Sequence, residues 1–177
     1  MRVVAGRFGG RVLRAPSGTA TRPTSDRVRE ALFSILASVA GAQVLDLFAG
    51  SGALGIEALS RGAAEVTFVD TAAAAVAVIR ANLKQLEVSA EVLRLPALRA
   101  LRCTPVAERQ YDLVFLDPPY RLASSLAPEL STALPPILAP EARVVVESDR
   151  RAPLGLDLPL LRERQYGDTL IKIHVAG

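Results

Sequence analysis

Between residues 43 and 146 the chain alternates short aliphatic runs with segments of helical spacing, and few folds accommodate that alternation. Val44-Leu45-Asp46-Leu47 reads as a buried strand and Ala53 to Ser60 as a helix. The strand Val66 to Val69 leads into an alanine-rich helix from Ala72 to Leu86, and the short strand Glu91 to Leu93 into a weak helix near 97–102. Leu113 to Leu116 is a further buried-type strand, followed by a helix over 124–133 and a strand from Arg143 to Val146. Strands that are apolar on both faces, each leading into a helix, pack as a parallel sheet with helices on both sides. The end of the chain breaks the pattern. Two β-like runs, around 158–165 and 169–175, are separated by the turn signal Tyr166-Gly167-Asp168. The expected fold is α/β, a mostly parallel seven-stranded sheet finished by an antiparallel hairpin.

Upstream of this alternation, Val3-Val4-Ala5 and Arg11-Val12-Leu13 flank Gly9-Gly10 and predict a small N-terminal β-hairpin. Residues 15–24 are rich in Pro, Ser, Gly and Thr and read as a loop or arm. Ser25 or Thr24 can cap a helix running to about Val39, with Val28, Leu32, Ile35, Leu36 and Val39 at helical spacing. A chain of 177 residues suits one sizeable core, so 1–24 is read as hairpin and basic arm and 25–177 as the principal domain. The net charge of +3 is unevenly spread: residues 1–30 hold seven arginines against Asp26 and Glu30, while the rest of the chain is slightly acidic. Such clustering suits a nucleic-acid partner or a solvated basic arm.

Asp46 to Gly55 reads Asp-Leu-Phe-Ala-Gly-Ser-Gly-Ala-Leu-Gly, where the first strand of the alternation turns into a helix. Glycines there let the backbone approach a ligand. The helix start offers free N–H groups, and an open α/β sheet binds its ligands at this edge. Gly50-x-Gly52-x-x-Gly55 also matches the dinucleotide fingerprint, so a nicotinamide-dependent dehydrogenase is an alternative. Two features weigh against it. Asp46 precedes the glycines, where a carboxylate helps hold an ammonium but offers a pyrophosphate nothing. The chain also has no recognisable substrate domain for hydride transfer. Asp70, ending the second strand, suits a ribose hydroxyl in either reading and can also cap the next helix.

Asp117-Pro118-Pro119-Tyr120 follows the buried strand Leu113 to Leu116 directly. Two prolines fix φ and lack N–H, so the backbone carbonyls here are aimed by a stiff turn. An amino group conjugated to a nucleobase is a poor nucleophile because its lone pair is delocalised. Accepting hydrogen bonds from both of its N–H groups, with the Asp117 carboxylate and the Pro118 carbonyl, draws the nitrogen toward a geometry with a usable lone pair. Tyr120 can stack on an extruded base. Methyl transfer by in-line displacement needs positioning and electrostatics above all. With Asp46 to Gly55, the tetrapeptide points to a methyltransferase of the class I, Rossmann-like fold that uses S-adenosylmethionine and releases S-adenosylhomocysteine.

Other chemistries have less support. Cys103 is the single cysteine and precedes the relevant strand, so it is read as structural rather than as a C5-methylating nucleophile. With one cysteine and one histidine, His174, no metal site is expected. No apolar stretch is long enough to cross a bilayer, and the N-terminus lacks a signal-peptide core. A soluble, cytoplasmic protein with no membrane partner is the expectation, with monomer as the default.

With both loops placed, the sequence resembles the bacterial 16S rRNA guanine-N2 methyltransferases of the small-subunit methyltransferase D family. The resemblance covers nearly the whole chain. It includes Arg2-Val3-Val4-Ala5-Gly6 and, most specifically, Arg22-Pro23-Thr24-Ser25-Asp26-Arg27-Val28-Arg29-Glu30-Ala31-Leu32-Phe33. It implies S-adenosylmethionine as donor and one guanine of 16S rRNA as acceptor, within an assembled or assembling small subunit. On this basis Asp46, Phe48, Ala49, Gly50 and Gly52 of the loop, with Asp70 and Thr71, are cofactor-binding candidates, and Asp117, Pro118, Pro119 and Tyr120 are catalytic ones. Relatives often place Asp-Ala after the third strand to meet the adenine. Here Arg94-Leu95-Pro96-Ala97-Leu98 stands there, so that contact is expected from backbone around Leu95 to Ala97. Arg7, Arg11, Arg22, Arg27 and Arg29 are the candidate rRNA ligands, Arg22 foremost. A DNA adenine or cytosine N-methyltransferase shares the chemistry, but the chain has no spare segment for duplex recognition. A protein-glutamine methyltransferase and a catalytically silent assembly module are further alternatives.

Overall fold

The computed structural model describes residues 1–16, 25–36 and 38–177, the side chains of Tyr120 and Arg121 excepted. Seven strands form one sheet: β1 (Gln43–Asp46), β2 (Glu65–Asp70), β3 (Glu91–Arg94), β4 (Tyr111–Leu116), β5 (Leu138–Asp149), β6 (Leu160–Tyr166) and β7 (Thr169–Val175), in the order β3-β2-β1-β4-β5-β7-β6. The first five run parallel, and β7 is antiparallel to both β5 and β6. The chain winds outward from β1 to β3 and then returns to place β4 on the other side of β1. A crevice opens at such a reversal, beyond the carboxyl ends of the two central strands. Asp46 and Asp117 stand at those ends.

Strand residues alternate between two cores. Val44, Phe68, Leu113, Phe115 and Val145 pack beneath α1 (Asp26–Ile35), α2 (Ala53–Ser60) and α3 (Ala73–Gln85). Leu45, Val69, Val114, Leu116, Val144 and Val146 face α4 (Ala97–Ala100) and α5 (Tyr120–Ala133). Burial on both faces explains why these strands read as continuous aliphatic runs.

Local chemistry moves several element ends. Ser25 caps α1, its hydroxyl accepting the Val28 N–H at 3.2 Å. The helix stops at Ile35, short of the expected Val39. Leu36, still in right-handed backbone, caps it with its N–H on the Leu32 carbonyl, and Leu36 and Val39 are both buried. α5 begins at Tyr120, four residues before the expected 124. Pro119, with φ −53°, stands at its cap and its carbonyl accepts the Leu122 N–H at 2.8 Å, so the proline pair starts a helix as well as making a turn. The N-terminal hairpin is short, an antiparallel bridge from Arg2 to Val12 with the Val3 N–H donating to the Arg11 carbonyl at 2.9 Å and the Leu13 N–H to the Met1 carbonyl at 3.0 Å. Val4 and Ala5 donate their N–H groups to Glu57 on α2, at 2.7 and 3.0 Å, rather than across the hairpin. Val3, Phe8 and Leu13 share the core beneath α1 to α3.

Candidate active site at the centre of the sheet

At the end of β1 the glycine loop turns into α2 through Gly52, whose φ of +78° suits a residue without Cβ. The Asp46 carboxylate accepts the Gly55 N–H at 3.1 Å and is only 2 % exposed. Burial pushes its pKa up to about 7, and the charge of Asp70 adds to the shift, while the Gly55 bond opposes it. Asp70 accepts two backbone N–H groups, from Gly50 and Ala72, each at 2.8 Å. One carboxylate thus fastens the glycine loop and the entry to α3, so its binding and capping roles are compatible.

These groups border a cleft of about 400 Å³. Asp46, Phe48, Ala49, Gly50, Asp70, Thr71 and Ala97 lie on its wall, as the cofactor reading expects. Gly52 is buried behind it and shapes the turn. Leu95, Pro96 and Leu98 line the side that follows β3, making it apolar. Met1, Ala15 and Pro16 also reach this cleft. No local pattern announces that contact, because it arises from folding the N-terminal segment over α2 and α3.

The opposite wall carries Asp117, Pro119, Leu122 and Leu126. Pro118 is buried, and Tyr120 begins α5 with its side chain outside the described residues. Leu116 pairs with Val146 in parallel register, so Asp117 and Glu147 follow side by side. Strand alternation turns both toward the face of Phe115 and Val145. Burial holds the Asp117 carboxyl well above the usual carboxylate range, and the charges of Glu147 and Asp46 push the same way. No hydrogen bond reaches Asp117 among the described residues. Glu147, 4 % exposed, was not among the residues that the sequence singles out. Its one signal there is a carboxylate ending the apolar run Val144-Val145-Val146.

The arginines divide. Arg7, Arg11 and Arg27 are exposed, whereas Arg22 lies outside the described residues. Arg7 is fastened through its N–H to the Ser60 carbonyl, at the end of α2 remote from the glycine loop. Arg29 corrects the expectation of a phosphate ligand. It is fully buried, its guanidinium bonded to the Arg2 carbonyl and to Asp26 at 2.9 Å and lying 3.8 Å from the buried Glu57. A guanidinium spent on internal partners is not available to RNA. Glu57 also binds Arg61 at 2.7 Å, so it joins α1, α2 and the N-terminal segment.

His174 Nδ1 lies 2.9 Å from the Leu158 carbonyl oxygen, and neither His174 nor Cys103 lines the cleft. Among the described residues no His, Cys, Asp or Glu cluster suits a metal ion, and no helix is long and apolar enough to cross a membrane.

A parallel sheet with the β7–β6 hairpin, a glycine loop after β1 and carboxylates at the ends of β1, β2 and β4 define a class I methyltransferase fold. The family model described as "Conserved hypothetical protein 95" matches residues 1–175. The chain is 41 % identical to the "Putative rRNA methyltransferase YlbH" of Bacillus subtilis, covering 98 % of each chain. It is 38 % identical to "Ribosomal RNA small subunit methyltransferase D" of Haemophilus influenzae, over 94 % of this chain and 89 % of that one. The solved structure of "Putative methyltransferase yhhF from Escherichia coli" superposes with a TM-score of 0.85 at 37 % identity, covering 99 % of this chain and 97 % of that one. The chain belongs to this family, the one that contains the small-subunit methyltransferase D proteins.

Proposed function

We propose that this protein transfers a methyl group from S-adenosylmethionine to the exocyclic N2 amino group of one guanine in 16S rRNA, within an assembled or assembling small subunit. One observation carries the chemistry: the Asp117 carboxyl faces the cleft, is kept largely out of water, and receives no hydrogen bond from the described residues. Such an acceptor is complementary to an amino group with N–H bonds to donate. The named relatives support small-subunit rRNA as substrate, and the guanine rests on the sequence resemblance carried by the two loops and the 22–33 string.

The cleft fits the cofactor. Asp46, reluctant to ionise when alone, becomes a favourable anion beside a positively charged ligand. Asp70 stands at the strand end where a ribose is bound, and Leu95 and Leu98 offer apolar walls to a flat base. S-adenosylmethionine, when bound, supplies a methyl group activated by its sulfonium. Asp117 holds the acceptor amine by its N–H bonds and takes the proton released as the new N–C bond forms. The Pro118-Pro119 turn keeps that carboxylate in place. Exposed Arg27, at the start of α1, and Arg22 are the phosphate ligands, with Arg7 and Arg11 further along the hairpin.

Incubation with labelled S-adenosylmethionine and undermethylated small subunits, free 16S rRNA or duplex DNA tests the reading. Label on one guanine N2 of the subunit is expected. Label in duplex DNA alone would overturn it.

A further inference from the structure

Asn82, in the last turn of α3, is 0 % exposed, although asparagine is a mediocre helix former and an expensive residue to bury. Its side chain is fully engaged. Oδ1 accepts the Arg14 N–H at 2.9 Å, and Nδ2 donates to the Arg14 carbonyl at 3.1 Å and to the Ser51 carbonyl at 3.1 Å. The amide therefore pairs with both backbone groups of one residue of the N-terminal arm, as a neighbouring strand would, and leaves the Arg14 side chain exposed. Its remaining donor grips the glycine loop between Gly50 and Gly52. Two further bonds follow the same path. Gln85, three residues on, donates to the Val12 carbonyl at 3.0 Å, and the Ser51 hydroxyl lies 3.3 Å from Met1 Sδ. Met1, Ala15 and Pro16 are thereby held against the cleft beside Phe48 and Ala49.

The N-terminal attachment has a second, separate anchor. Gly6 has φ +81°, and a Cβ there would fall 1.9 Å from the Ser60 carbonyl oxygen. The Phe8 N–H meets the Ser60 hydroxyl at 2.9 Å. That anchor fixes the hairpin to the far end of α2. Among the described residues, Asn82 is the side chain that hydrogen-bonds both Arg14 and the loop bordering the cofactor cleft.

We propose that Asn82 is a positioning residue that couples cofactor binding to rRNA docking, by holding the glycine loop and the Arg14 backbone in one shared geometry. The inference rests on the substrate reading above. Ligand contacts that favour this geometry at the loop favour it at Arg14 as well, and RNA contacts beside Arg14 do the same for the loop, so each tightens the other.

The measurement is the affinity for S-adenosylhomocysteine, alone and with undermethylated small subunits, for the wild-type chain, Asn82→Ala and Asn82→Asp. Trypsin cleavage after Arg14, with and without S-adenosylhomocysteine, is read in parallel. In the wild type, subunits should tighten S-adenosylhomocysteine about fivefold or more, and S-adenosylhomocysteine should slow cleavage after Arg14. Asn82→Ala should reduce both effects to within about twofold of none, raising KM for both substrates while leaving kcat at saturation largely intact. Asn82→Asp keeps the acceptor for Arg14 but loses both donations, and should uncouple equally. Gln85→Ala, at an exposed position, removes only the Val12 bond and should weaken the coupling in part, which keeps the test open if Asn82→Ala does not fold. Weaker affinity with an unchanged coupling ratio and unchanged protection after Arg14 would make Asn82 a merely structural residue and overturn the proposal alone. A wild-type chain that binds no subunits overturns the substrate reading and the coupling with it.

Discussion

The two walls of the cleft treat their carboxylates in opposite ways. On the β1–β2 wall Asp46 and Asp70 accept backbone N–H groups from Gly55, Gly50 and Ala72, so they shape the loop whether or not a ligand is present. On the β4–β5 wall Asp117 stands beside Glu147 and receives no hydrogen bond from the described residues. The first arrangement builds a rigid cradle. The second leaves a strong acceptor unsatisfied, at a cost that a donating amino group offsets. Under the proposed function, the difference separates holding from reacting.

Asp117→Ala is the largest challenge to that separation. Turnover on small subunits should fall about a thousandfold or more, while S-adenosylhomocysteine affinity measured by calorimetry changes by less than about threefold. An equal loss of both would show that the walls act as one. Asp70→Ala should do the reverse. Freeing two N–H groups and loosening the loop should weaken cofactor binding by about tenfold to a hundredfold, with kcat at saturating cofactor far less affected. A kcat loss as large as that of Asp117→Ala would break the comparison.

The pH dependence is the finest probe. Asp46 holds its proton up to about pH 7 in the folded, unliganded chain, against an ordinary aspartate value of 3.8. The folded state therefore binds a proton that the unfolded state has released, and the apo protein should lose stability as pH rises from about 4 to about 7. Cofactor affinity runs the other way, rising roughly tenfold between pH 6 and pH 8 as the anion becomes available. Turnover should show its own acid limb, set by Asp117. Glu147→Gln removes a neighbouring negative charge, eases ionisation of Asp117 and should move that limb to lower pH, leaving the cofactor limb in place. A shift of both limbs, or of neither, would deny Glu147 its selective influence.

Much of the cofactor wall was legible because backbone geometry writes itself into short strings. Glycines at a strand-to-helix turn, and an aspartate at each strand end, mark it locally. Gly52 reads as a ligand contact, and the fold adds that it lies buried behind the cleft wall at the turn into α2, since spacing alone does not tell which glycine faces the cleft. Glu147 stayed hidden. It becomes relevant only through the register between β4 and β5, across a long separation in sequence. Arg27 and Arg29 look alike in the chain, yet one is exposed and the other is fully buried between Asp26 and Glu57. Two positions on a helix point to different faces, and only the packing of α1 on α2 says which face is inside.

The alternating architecture, the final hairpin and the two loops follow from local sequence, because each depends on hydrophobic period and turn chemistry over a few residues. Tertiary structure decided what those parts do together: which arginine is spent internally, which carboxylate stands beside Asp117, and that the N-terminal arm reaches the cofactor cleft through Asn82. Those outcomes depend on contacts between distant segments, whose free energy belongs to the packed fold and to no local string.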